Sequence, residues 1–117
     1  MKIYKISVIL IILASLTSCA QMHPHPMDMT QAIQNAKTPA DHEALAKHYE
    51  ATAREIQSKA QEYKKLLEKY ETNAPHYGRQ AQDLQGHTAA LVHLYEQAAK
   101  ANRDMADSHR KMAAEIK

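Results

Sequence analysis

What the chain lacks narrows its architecture before any motif is read. Its 117 residues include no tryptophan, no phenylalanine and only two glycines. Sheets are built from β-branched and aromatic residues on a pleated surface, joined by turn-forming residues, so this composition argues against one. Ala, Glu, Lys and Gln stand in their place, and these are strong helix formers. The single cysteine, Cys19, excludes an intramolecular disulfide. The longest apolar run, Ile6 to Leu16, has 11 residues, whereas a membrane-spanning helix needs roughly 20. Any core must be assembled from Ala, Leu, Ile, Met and Tyr, and it is therefore thin.

That apolar run sits in an ordered setting. Met1 to Lys5 carries Lys2 and Lys5 and no acid, and small residues close the run. A charged start, a short greasy centre and a small-residue exit are the three parts of a secretory signal. The exit, Leu16-Thr17-Ser18-Cys19, resembles the lipobox of bacterial lipoproteins. The resemblance implies cleavage between Ser18 and Cys19, a diacylglycerol thioether on the Cys19 thiol, and acylation of the new amine, commonly by palmitate. Two or more acyl chains suffice for stable membrane attachment. Ala20 follows the cysteine, where an Asp would resemble an inner-membrane retention signal, so the expected location is the outer membrane, facing the periplasm. The plainer alternative is ordinary cleavage near Ala20 that leaves a free thiol.

Net charge is scarce as well. Fifteen Lys and Arg, less the two in the leader, balance 13 Asp and Glu, so residues 19–117 are formally neutral. A neutral chain lacks the electrostatic footprint of a nucleic-acid binder. The 99 residues left after the leader are enough for one small domain.

Residues 19–29 read as a flexible tether. Pro24 and Pro26 oppose helix and favour an extended backbone. Met22, His23, His25, Met27 and Met29 alternate through it, and thioether with imidazole is a donor set suited to copper, Cu(I) in particular. Such segments resemble those of periplasmic copper-handling proteins. The alternative is a solvated linker in which these side chains are incidental.

From residue 30 the expectation is all-α: helices at about 30–37, 39–71 and 80–116. Asp28 or Thr30 can cap the first. Thr38-Pro39-Ala40-Asp41 supplies an N-cap, a proline at the first helical position and an acid two residues on. Tyr49, Ala53, Ile56, Ala60, Tyr63, Leu67 and Tyr70 then step by four and three, which predicts a heptad seam. Thr72 to Gly78 carries the clear turn signals. The start of the last helix is open between Pro75 and His87 because of Gly86. Its predicted seam is Leu84, Thr88, Leu91, Tyr95, Ala98, Asn102, Met105, His109, Met112 and Ile116. Two long helices with a tight connection make a coiled-coil-like antiparallel hairpin. Glu43/Lys47, Glu50/Arg54 and Glu55/Lys59 are acid-before-base pairs for its solvated faces. At an offset of 46, Ala44, Leu45, Tyr49, Glu50, Ala53, Ala60 and Lys65 match Ala90, Leu91, Tyr95, Glu96, Ala99, Ala106 and Lys111; an old duplication would explain this, the alternative being the ready resemblance of Ala-rich helices to one another.

Thr38 to Ala46 with Tyr49, and His109 to Ala113, resemble a group of short, uncharacterised exported bacterial α-helical proteins. The likeness runs from about residue 30 to 117. It implies two helices and carries no catalytic residues.

Catalytic motifs fail on inspection. His42-Glu43-Ala44-Leu45-Ala46 opens like a zinc-protease helix, but Ala46 stands where the second histidine belongs. No Glu-x-x-His for a di-iron site occurs, nor a Cys-x-x-Cys-His haem site or a Gly-x-Ser-x-Gly elbow. Met105, His109 and Met112 share a face that suits Cu(I) or an axial haem ligand, and we read them as seam positions. Asp83 and His87 are one turn apart, and a surface hydrogen bond is the simpler reading. His42, His48 and His93 do not converge within either helix. Neither an enzyme nor a small-molecule substrate is indicated. The expectation is a membrane-tethered hairpin with a structural, scaffolding or interaction role, assembling with a partner helix or with itself as a four-helix bundle. The alternative is copper binding by the tether. A lipidated helical rod ending in Lys117 also resembles Braun's lipoprotein, which implies a peptidoglycan link through that lysine.

Overall fold

The computed structural model describes residues 28–117; the leader, Cys19 and the tether residues Met22, His23, His25 and Met27 lie outside them. The described chain is an all-α antiparallel hairpin preceded by a short helix. Its elements are α1 (Met29–Asn35), α2 (Pro39–Thr72), α3 (Ala74–Tyr77), a 3₁₀ turn (Gly78–Gln80) and α4 (Ala81–Glu115).

Each start has a local cause. The Asp28 carboxylate caps α1, accepting from the Thr30 and Gln31 backbone N–H groups at 3.1 and 3.2 Å. At α2 the expected capping box forms in full: Asp41 N–H donates to Thr38 Oγ1 (3.2 Å) and Thr38 N–H donates to Asp41 Oδ2 (2.9 Å). The Lys37 N–H adds a third bond, and these donors hold the Asp41 carboxyl below the usual carboxylate range. α2 runs 34 residues without a break, about 51 Å at 1.5 Å per residue. Asn73 closes it, its side-chain amide and backbone N–H both donating to the Lys69 carbonyl at 3.0 Å.

The connection is short. Pro75 starts α3 in the first helical turn, and Gly78 adopts φ 55°, ψ −129°, a conformation that residues bearing a Cβ rarely enter. α4 then begins at Ala81 and passes through Gly86, which sits exposed in the helix and does not mark its start.

The buried residues of α2 are Leu45, Ala46, Tyr49, Ala53 and Ala60, consistent with the expected seam. On α4 the seam is corrected. Ala81, Thr88, Val92, Ala99, Ala106 and Ala113 are buried. Leu91, Met105 and Met112, assigned to the seam from sequence, are 36%, 42% and 45% exposed. The rest of the predicted seam holds, since Leu84, Tyr95, Ala98, Asn102, His109 and Ile116 are partly buried alongside Thr88. The alternate positions fall one residue later. A four-and-three pattern through residues 88, 95, 102 and 109 is completed equally well by 91, 98, 105 and 112 or by 92, 99, 106 and 113. The structure takes the second set, placing Ala against Ala and allowing the backbones to approach. The polar seam residues find partners in their own helix: Thr88 Oγ1 donates to the Leu84 carbonyl (2.6 Å) and Asn102 Nδ2 to that of Ala98 (2.9 Å). No buried side-chain polar atom among the described residues lacks a partner.

The 46-residue offset has a geometric counterpart. Tyr49 stacks on His109 and Tyr63 on Tyr95, with centroids 5.6 and 5.3 Å apart. Adding 46 to one partner of each pair yields a partner of the other. The same holds for the ion pairs Glu50–Arg110 (2.8 Å) and Lys64–Glu96 (2.6 Å). Gln57 and Arg103, themselves 46 apart, meet at 3.5 Å in the middle. The hairpin thus carries an approximate two-fold axis perpendicular to its helices.

Candidate functional site

The seam divides the hairpin into two flanks with opposite chemistry. One carries Glu50, Gln57 and Lys64 from α2 against Arg110, Arg103 and Glu96 from α4. Lys64 beside Glu96 keeps that carboxyl below its ordinary range. These pairs are closed on each other. Of the predicted pairs along α2, Glu50–Arg54 is long at 3.8 Å because Glu50 turns to Arg110, and Lys59 bonds Glu62 in place of Glu55. Glu43 and Lys47 form no ion pair among the described residues.

The other flank is open, apolar along α4 and bordered on α2 by the exposed Lys59–Glu62 pair. Leu91, Leu94, Met105 and Met112 follow one another along α4 at helical spacing, with Leu94 the most exposed at 60%. Leu66 of α2 is half-buried. Repeat symmetry shows what is missing here. Leu45, near where α1 packs through Met29 onto Ala46, Tyr49 and Ala106, is 2% exposed. Leu91, its counterpart in the second repeat, is 36% exposed, although α3 and the 3₁₀ turn precede its helix at the positions equivalent to α1. Met29, read from sequence as the last tether residue, is the first residue of α1 and partly buried.

At the base of the hairpin His42 and His109 meet, their Nδ1 atoms 3.1 Å apart and their rings stacked at a 5.3 Å centroid distance. Tyr49 lies parallel to the His109 ring, at an interplanar angle of 8°. Burial pushes the His109 imidazole below its usual pKa, and His42 beside it adds to the shift. Sequence reasoning missed this pair because it compared histidines within one helix, and the register between helices brings them together. Asp83, His87 and His93 are exposed. His48 is half-buried with its ring edge-on to Tyr49. Lys117 is exposed beyond the end of α4.

Among the described residues no group of three or more His, Cys, Asp or Glu side chains converges as a metal site. No helix of the described residues is long and apolar enough to cross a membrane. The surface grooves are shallow; one of about 280 Å³ is lined by the Lys59–Glu62 ion pair with Tyr63, Leu66 and Tyr95. Compared with protein-family models, with curated proteins and with solved structures, the chain finds no match.

Proposed function

We propose that this chain is a lipid-anchored envelope protein with a structural, scaffolding or protein-interaction role, held at the outer membrane through Cys19 and facing the periplasm. The observation that carries the interaction role is the open flank. Leu91, Leu94, Met105 and Met112 expose an apolar stripe while the opposite flank is closed by ion pairs. Contiguous exposed apolar surface with a polar border is the signature of an interaction site. Lys2, Lys5, the 11-residue apolar run and Leu16-Thr17-Ser18-Cys19 support the anchor. The partner is a second copy, giving a four-helix bundle, or another helix.

Two measurements test this reading. Mass spectrometry of the membrane-extracted protein is expected to show an acylated N-terminal Cys19, lost in Cys19→Ser; an unmodified thiol removes the anchor from the proposal. Sedimentation in detergent is expected to show association that Leu94→Glu abolishes; a monomer at all concentrations, with no crosslinked partner in cells, removes the interaction role.

A second reading, copper binding by Met22, His23, His25, Met27 and Met29, is favoured by the placement of Met29. It packs against the cluster of Ala46, Tyr49 and Ala106, and the Tyr49 ring stacks on that of His109. Competition with a Cu(I) chelator is expected to show binding that disappears when the four tether donors preceding Asp28 are replaced.

A further inference from the structure

We propose that His42 and His109 form a second, cross-helix copper site in the folded hairpin, with the thioethers of Met105 and Met112 as neighbouring donors. The proposal rests on the copper reading above for the choice of ion; the site itself stands on four observations.

First, the two Nδ1 atoms face each other at 3.1 Å. Two nitrogens bound at about 2.0 Å to one ion in a tetrahedral arrangement lie about 3.3 Å apart, so the hydrogen-bonded pair is already at a chelating separation and each ring has to pivot to turn its lone pair from the other ring onto the ion. Second, a neutral imidazole with its proton on Nε2 offers the Nδ1 lone pair to a metal, and within the His42–His109 hydrogen bond one of the two Nδ1 atoms already presents that lone pair as the acceptor. Two such tautomers can ligate the same ion with no net loss of a proton. Third, Met105 and Met112 lie at i−4 and i+3 from His109, where helical side chains are neighbours. Sequence reasoning explained them as gap fillers in the seam, but Ala106 and Ala113 fill it, and the two methionines stand exposed. Imidazole joined by thioether selects copper over harder ions.

Fourth, the donors sit where the two repeats part company. The approximate two-fold axis relates His42 and His109 to Thr88 and Tyr63, and relates Met105 and Met112 to Lys59 and Leu66. At the turn end the equivalent positions hold a hydroxyl, a phenol, an ammonium and an aliphatic chain. The base alone has two imidazoles and two thioethers. Packing symmetry retains Tyr49/Tyr95, Ala53/Ala99 and Ala60/Ala106, so packing alone does not account for this substitution of donors.

A site bridging α2 and α4 stabilises the hairpin on binding, whereas a tether site does not, and this separates the two. The experiment follows thermal unfolding of the full chain in detergent by circular dichroism, with and without chelator-buffered Cu(I), in a Cys19→Ser background. The first variant replaces the tether donors (Met22→Ser, His23→Ala, His25→Ala, Met27→Ser). With free Cu(I) at about a hundred times its Kd, the melting temperature of this variant is expected to rise on the order of 10 °C. The rise should vanish on adding His42→Gln or His109→Gln, shrink with Met105→Leu, and persist with His48→Ala. No rise in the tether variant, or a rise that survives His42→Gln, overturns the site. Copper binding that is lost with the tether donors and never moves the melting temperature leaves the tether reading standing and this one refuted. Should a histidine variant melt poorly without copper, the ring ¹⁵N shifts of His42 and His109 in the tether variant decide: unchanged Nδ1 signals on Cu(I) addition refute the site.

Discussion

The two flanks of the hairpin share one seam and one pair of helices, yet one is finished and the other is not. On the charged flank Glu50, Gln57 and Lys64 meet Arg110, Arg103 and Glu96, so its side chains find partners within the chain. On the apolar flank Leu91, Leu94, Met105 and Met112 have solvent beside them. The difference separates the surface that holds the fold together from the surface the fold leaves exposed. The alanine seam decides which helices pair, the charged flank fixes their rotation, and the apolar flank is left for something else.

The comparison breaks most severely at what both flanks share. Ala106 is 1% exposed and faces the α2 alanines, so Ala106→Leu forces the helices apart. It should cost about 2–3 kcal/mol in urea unfolding, with loss of the cross-helix ion pairs. An unchanged urea midpoint would mean that the alanine contacts are not what sets the spacing. Next comes the open flank alone. Leu94→Glu is expected to leave monomer stability within about 0.5 kcal/mol while weakening association at least tenfold by sedimentation.

A smaller effect is expected from pH. The His109 pKa is lowered in the fold, so the unfolded chain binds the extra proton first. Stability is full above the unfolded value of 6.5 and declines as pH falls below it towards the folded value. Thermal unfolding from pH 7.5 to 5 should show this loss, reduced in His109→Gln; an identical profile in that variant places the dependence elsewhere. The smallest effect belongs to the charged flank. Arg110→Ala removes a pair whose side chains are each 40% exposed, and should cost under about 1 kcal/mol, less in high salt. A larger cost that salt does not reduce would mean that this flank contributes more than rotation.

Much of this was legible in the sequence, and what was not has a specific cause. The capping box at Thr38–Asp41, the unbroken run to Thr72, the α2 seam and the hairpin follow from local rules that need no partner. The α4 seam did not follow, because heptad patterns through Tyr95 and His109 admit two solutions that differ by a rotation of the helix. Choosing large apolar residues selects Leu91, Met105 and Met112; only the facing alanines of α2 select Ala99 and Ala106. The same missing rotation concealed the open flank, whereas the His42–His109 pair depends on the register between the two helices. Gly86 was a false signal of a boundary, since an exposed glycine weakens a helix without having to end it.

The approximate two-fold axis has a consequence for how the molecule is held as one chain. A helix whose mate is an offset copy of itself carries the instructions for both sides of the contact. The seam therefore cannot tell whether its halves belong to one polypeptide or two, because an opened hairpin offers a neighbour the same mates it offers itself. What decides is the bend at Gly78, which keeps one half at high effective concentration near the other. In this molecule self-recognition is the property of the helices, and individuality is the property of a few residues between them.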